Sequence, residues 1–311
     1  MGVSISGRDF PAFCGKLFEY TLEAWYNIEK EVIKMKMAET NWESLDISND
    51  FLFGKVMQNP DLCKELLQRI LPDLNIERIE YPELQKSIKE GAESRGIRLD
   101  VYSKDDKNIV YNVEMQANGS KGIPKRSRYY QGMIDLQLLE AGDKSYMKLN
   151  KTYIIFICTF DLYGKGRHIY TFENICKEDN SLSMGDEATK IFLNSDSDMD
   201  DVGKELRAFL DYVKGIKVTN DDFIDRLEEA VKRAKANKKW RRDYMTMEML
   251  ERVKYEEGRE EGREEGRKEE MERGITALVS TLKDMNVPIQ TILEKVQEKF
   301  NLSLETAQKY I

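Results

Sequence analysis

The sequence predicts a mixed α/β domain, with one central sheet flanked by helices, followed by a charged helical extension. Three observations carry this. The first is the order of patterns over residues 45–200: a helical segment, three alternating strand-like runs, a helix, then strands again. The second is the near-continuous apolar run over residues 151–160, rich in β-branched residues, which reads as a central strand buried on both faces. The third is residues 201–311, where helical periodicity and charge replace strand patterns. At 311 residues the chain can bury a sizeable core, and its 34% charged content points to long exposed helices.

Residues 1–44 form an N-terminal extension. Phe10, Phe13, Leu17, Phe18, Leu22 and Trp25 are spaced as on an amphipathic helix, yet Met35 and Met37 stand just before the domain-like segment. Two readings stay open here: a leader added by the choice of start codon, or a helix that packs on the domain. Residues 48–71 read as helix, with Asn59-Pro60 as a point where it can break. Ser48 or Asn49 can cap it, and Phe51, Val56, Leu62, Leu66, Leu67 and Ile70 supply its buried face. Asp50 falls in the first turn, where a carboxylate favours the helix dipole. Residues 76–89 alternate as a strand, with Ile79 and Tyr81 among its members and Pro82 assigning it to an edge or bulge.

The centre of the chain is a pair of half-buried strands. Ile97, Leu99 and Val101 point one way, and Arg98, Asp100 and Tyr102 the other. In the second run Ile109, Tyr111, Val113 and Met115 share a face opposite Asn112, Glu114 and Gln116. Asp105-Asp106-Lys107-Asn108 between them is turn chemistry. Matching the apolar faces sets Leu99 across from Met115 and Val101 across from Val113, which puts Asp100 opposite Glu114. Directly opposed side chains lie about 4.5–5.5 Å apart at Cβ, where like charges destabilise a sheet. A bound divalent cation such as Mg²⁺ is the simplest compensation. Gln116, on the same face, can position a water or a phosphate oxygen. The plain alternative is a solvent-facing hairpin whose acids happen to align.

Residues 119–122 read as a loop, and a helix then runs to about Leu139. Lys121, Lys125, Arg126 and Arg128 cluster at its start beside Tyr129 and Tyr130, and Met133, Ile134, Leu136 and Leu139 give it an apolar stripe. Such a cluster suits phosphate contact, and equally an ordinary solvated face. After the central strand come strands over 167–172 and 188–193; His168 in the first of these reads as structural. Residues 194–201 form an acidic loop, lacking the glycine and distal Glu of a calcium loop, that is expected to cap a helix over 202–214. Residues 221–273 are helical, with a basic block around Trp240 (Lys232, Arg233, Lys235, Lys238, Lys239, Arg241, Arg242) that suits either DNA contact or solubility. Three Glu-Gly-Arg repeats at Gly258, Gly262 and Gly266 follow. Each glycine costs roughly 0.8–1.0 kcal/mol against alanine, more than the i,i+3 Glu–Arg pairs return, so a hinge-like helix is expected. Residues 274–311 form a small helical unit, with Pro288 opening one helix and residues 301–306 capping another.

Composition excludes several classes. A net charge of −8 argues against indiscriminate nucleic-acid binding, so any contact with DNA must use a local basic patch. Cys14, Cys63, Cys158 and Cys176 are scattered, and with His168 as the single histidine they offer no zinc site; they fit a reducing cytoplasm. No segment is long and apolar enough to cross a membrane.

Asp100, the run Glu114-Met115-Gln116 at a strand end, the basic Arg128-Tyr129-Tyr130 helix and the opening Ser48-Asn49-Asp50-Phe51-Leu52-Phe53-Gly54-Lys55-Val56 together resemble the PD-(D/E)XK nuclease superfamily, in particular its recombination-promoting nuclease group, often called PD-(D/E)XK family transposases. The resemblance covers roughly residues 45–200. It implies a restriction-endonuclease-like core and a Mg²⁺-dependent DNA endonuclease, with Mn²⁺ as a substitute, acting in recombination, mobile-element or phage-defence biology. It implies Asp100, Glu114 and Gln116 as catalytic residues, with Asp100, Glu114, the Met115 carbonyl and Asp50 around the metal. Lys121, Lys125, Arg126, Arg128, Tyr129 and Tyr130 would meet DNA, Arg128 steadying charge on the phosphate. The superfamily's usual lysine is replaced by Gln116, which leaves the general base unassigned. The rival expectation is a catalytically inactive DNA-binding or assembly protein retaining the fold, and the C-terminal helices are candidates for homo-oligomerisation.

Overall fold

A computed structural model describes residues 42–80, 82–88, 97–119, 121–139 and 145–311. The amphipathic segment at residues 10–25, Cys14, Met35, Met37, Tyr81 and Lys89 lie outside the described residues. The chain divides into two compact units, 1–244 and 245–311.

In the first unit the 48–71 segment is two helices, α1 (Asp50–Met57) and α2 (Pro60–Ile70). The break falls where Pro60 opens a new helix. Asn49 caps α1 by accepting from the Leu52 N–H at 3.0 Å, and Asn59 caps α2. Three strands follow, β1 (Glu83–Ile88), β2 (Ile97–Lys104) and β3 (Val110–Gln116), then α3 (Ile123–Leu138). After α3 come β4 (Thr152–Cys158), β5 (Ile169–Phe172) and β6 (Ala188–Asn194). The strands make one mixed sheet in the order β1-β2-β3-β4-β6-β5. β1, β2 and β3 are antiparallel neighbours, β3, β4 and β6 run parallel, and β5 closes the far edge antiparallel to β6. The mixed α/β fold, one central sheet flanked by helices, is therefore the one expected.

The strand expected over 76–89 is shorter than its pattern. Ile79 makes only an isolated bridge to Asp105, and β1 starts after Pro82 on the sheet edge. The central pair is not half-buried as expected: β3 is buried at every position but its last. Helices cover both of its faces. Ile123, Tyr130, Met133 and Ile134 of α3 pack with Tyr102, Val110, Ile154, Phe156 and Phe192 on one face, and α1 packs against β1, β2 and β3 on the other. β4 is buried throughout, as its composition requires.

Helices α4 (Lys204–Val213) and α5 (Asp222–Ala236) complete this layer. Residues 194–201 do not cap α4: its N-cap is Gly203, without a side-chain bond. The loop's polar groups are drawn elsewhere. Asp201 bonds the buried His168 through Nδ1 at 2.8 Å, and Asp196 pairs with Lys214 at 2.9 Å. Trp42 is fully buried against Phe51 and Tyr244, and its indole N–H donates to the Lys235 carbonyl at 3.1 Å.

Helix α6 (Lys238–Asp284) is a single element of 47 residues. The hinge expected at the glycine repeats is not a break: the helix runs through Gly258, Gly262 and Gly266. Glu260 and Arg263 pair across one repeat at 3.4 Å. In the second unit α7 (Ile289–Phe300) and α8 (Leu304–Gln308) pack with the end of α6 around Ile275, Val279, Ile292, Val296 and Ala307. Among the described residues no helix is long and apolar enough to cross a membrane.

Candidate active site

The β2–β3 turn sets the site's register. Asp105 is buried and organises the turn by accepting from the Lys107 and Ile109 N–H groups and the Tyr111 hydroxyl at 2.8–2.9 Å. Asn108 takes a positive φ of 60°, which asparagine tolerates. The ladder then pairs Val110 with Lys104 and Val113 with Val101, as the matching of apolar faces requires. One step further the regular ladder ends. There the two strands are joined by carboxylates. The Asp100 N–H donates to Glu114 Oε1 at 3.1 Å, and the Met115 N–H donates to Asp100 Oδ2 at 3.1 Å. Each acid thus takes a backbone donor from the opposite strand. Asn112 adds a second bond to Glu114 Oε1 at 3.1 Å.

One oxygen of each carboxylate is locked this way. Among the described residues no hydrogen bond reaches Glu114 Oε2 or Asp100 Oδ1. Glu114 is buried and Asp100 half-buried. Burial, and then the Asp100 charge beside it, push the Glu114 carboxyl well above the ordinary carboxylate range. The Asp100 carboxyl is raised by burial first and by the Asp50 charge second, against the pull of the Met115 N–H, Arg98 and Arg126. Asp50 is therefore within electrostatic reach of Asp100, though its own Oδ1 accepts from the Phe51 N–H at 2.7 Å. Among the described residues no group of three His, Cys, Asp or Glu side chains is gathered as a metal cage. Two carboxylates with a free oxygen each nevertheless fit Mg²⁺, which commonly binds through one or two carboxylates, water and substrate phosphate. The pair sits near the carboxyl end of β3, in the parallel part of the sheet, where α/β folds place their ligands.

Gln116 turns to its own neighbour: its amide donates to the Met115 carbonyl at 2.6 Å. The carbonyl expected beside the metal thus already carries one bond. The basic helix divides by phase. Arg126 faces inward with Tyr130, its guanidinium 5.1 Å from the Phe156 ring centre and 5.7 Å from that of Tyr130. Lys121, Lys125 and Arg128 are exposed, and Tyr129 is 41% exposed. Lys125, Arg128, Tyr129, Leu136 and Tyr146 line an open groove of about 700 Å³ on the outer side of α3. The structure thus brings Arg126, not Arg128, to the acid pair. Leu136, expected in the apolar stripe, is 58% exposed in that groove. The phase was legible: Arg126, Tyr130, Met133 and Ile134 recur at three- and four-residue spacing.

Residues 46–271 match the family model described as PD-(D/E)XK nuclease family transposase. No curated protein and no solved structure matches the chain.

Proposed function

The chain belongs to the PD-(D/E)XK nuclease transposase family, and on that footing we propose that it is a metal-dependent DNA endonuclease hydrolysing phosphodiester bonds at Asp100 and Glu114. The observation that carries this reading is the acid pair itself: two carboxyls raised by burial, each locked through one oxygen across the strand pair. A structural hairpin gains nothing from burying two like charges, whereas a cation site needs them. Mg²⁺, or Mn²⁺ in its place, would be held by Asp100 and Glu114 and would supply polarisation of the scissile phosphate and acidification of a water.

The chain's own residues do the rest. The Asn112 amide and the backbone N–H groups of Asp100 and Met115 fix the carboxylates before substrate arrives. Gln116 spends its amide N–H on the Met115 carbonyl and keeps its own oxygen to orient a water. An amide takes no proton at neutral pH, so Gln116 is a positioning residue and not the base. Lys121, Lys125 and Arg128 lie exposed to meet the DNA backbone on either side of the scissile bond. Recombination within mobile-element or phage-defence biology belongs to the same reading, as does homo-oligomerisation through α6, α7 and α8.

One observation favours a second reading, a DNA-binding or assembly protein without cleavage: a neutral glutamine stands where the superfamily pattern expects lysine. Nicking of supercoiled plasmid with Mg²⁺ or Mn²⁺ separates the two. Cleavage by the wild type that is lost in Asp100→Ala and in Glu114→Ala supports the endonuclease. A folded wild type that binds DNA but leaves plasmid and single strands intact supports the binding protein.

A further inference from the structure

We propose that Arg126 is the phosphate-binding cation of this site, its guanidinium taking a non-bridging oxygen of the scissile phosphodiester in place of the missing lysine. This rests on the endonuclease reading above and deepens it.

The side chain is held where that role requires. It rises from the first turns of α3, and its guanidinium lies within cation–π range of the rings of Phe156 and Tyr130. Its Nε and Nη2 are buried and have no hydrogen-bond partner. A guanidinium has five N–H donors and accepts nothing, so only an acceptor brought to it can satisfy the buried ones. Unpaired buried donors are rare in native proteins, and each calls for an explanation. Asp100 and Glu114 feel the charge of Arg126, yet among the described residues no carboxylate forms an ion pair with it. The donors are thus unspent, beside the acids where a phosphate must sit. They are sealed from solvent, so a phosphate meets them on rotation of the side chain.

Charge fixes the order of binding. Around Asp100 stand three acids, Asp50, Asp100 and Glu114, against two guanidinium groups, Arg98 and Arg126. With those acids ionised, an approaching phosphate is repelled. A divalent cation on the acids reverses the local sign, and one phosphodiester charge then neutralises it. Arg126 should accordingly contribute to DNA affinity chiefly when the metal is bound. Gln116 cannot supply this charge, and Arg128 is on the outer side of the helix.

The test is DNA affinity by fluorescence anisotropy on full-length protein, with Ca²⁺ replacing Mg²⁺ to hold the complex uncleaved, and with EDTA. The wild type should bind more tightly with Ca²⁺. Arg126→Gln should lose about tenfold to a hundredfold of affinity in Ca²⁺, the scale of one charge-assisted contact, and little in EDTA. Arg126→Lys should recover part of the gain. Arg128→Gln should weaken binding by a similar factor in both conditions. A full Ca²⁺-dependent gain in a folded Arg126→Gln protein overturns the assignment of Arg126 while leaving the metal reading intact. Absence of any Ca²⁺ effect in the wild type overturns the metal reading and this proposal with it. If Arg126→Gln melts before assay temperature, the charge-conserving variant Arg126→Lys decides: a Ca²⁺-dependent gain kept in whole or in part supports a charge role, and complete loss in a folded protein overturns it.

Discussion

Glu114 shows what burying the acid pair costs the folded protein. Burial and the neighbouring Asp100 raise its carboxyl, so the folded state holds that proton more tightly than the unfolded chain. A raised carboxyl contributes stability that is present at low pH. It is lost as pH rises from the unfolded value of about 4 through the folded one. Glu114→Gln removes the loss and keeps an acceptor for the Asp100 N–H and the Asn112 amide. In EDTA the variant should therefore melt above the wild type at pH 8, and the two should converge near pH 4. Each unit by which the carboxyl is raised is worth about 1.4 kcal/mol. Parallel melting curves across that range would show that the carboxyl is not raised. Added Mg²⁺ should lift the wild-type Tm and leave the variant's unchanged. The same residues mark the limit of sequence reading. That Asp100 and Glu114 face each other across the strand pair was legible because period-2 alternation and one turn fix a register. Arg126 was grouped with its neighbours as a DNA contact, and the phosphate role went to Arg128, because charge was counted along the helix and not by phase.

Elements were legible where one local rule governs them, and misread where a neighbour decides. Asn49 and Asn59 cap α1 and α2 from short sequence signals, and Asn49→Ala should cost about 1 kcal/mol in chemical denaturation. That β3 is buried on both faces could not be read from its alternation, because the second cover is α3, which lies later in the chain. Residues 194–201 were misread for a similar reason: Asp201 is claimed by His168, 33 residues earlier. The glycine repeats stand apart, because no neighbour meets them and the hinge-like helix expected there is a helix without a break. Propensity alone favours a hinge, yet α6 is continuous. An added Cβ at Gly258, Gly262 or Gly266 meets nothing within 4 Å. These positions therefore tolerate alanine, and each Gly→Ala change should stabilise the helix by about 0.8–1.0 kcal/mol. The triple variant should show higher helicity on heating by circular dichroism, with plasmid nicking unchanged. Loss of nicking in a folded triple variant would restore the hinge to a working role.

At the scale of the whole molecule, charge separates selective from indiscriminate binding. The chain carries −8 overall, yet Lys121, Lys125 and Arg128 stand exposed on and beside α3. With net repulsion over the chain as a whole, a local basic patch such as this one is where a duplex can be steered. The basic block around Trp240 adds less than its sequence suggests. Lys232 and Arg233 pair with Glu228 and Glu229 one turn back, and Arg241 pairs with Glu43 at 3.5 Å. Phosphate contacts release counterions, and each lowers the slope of log K against log salt by about 0.9 for a duplex. Three exposed contacts thus predict a shallow slope of about −3 in EDTA. Each of Lys121→Gln, Lys125→Gln and Arg128→Gln should flatten it by about one. Lys238→Gln and Lys239→Gln, in the Trp240 block, should leave it unchanged. A steep slope that falls on changing Lys238 and Lys239 would move the DNA path from α3 to the start of α6, away from the acid pair.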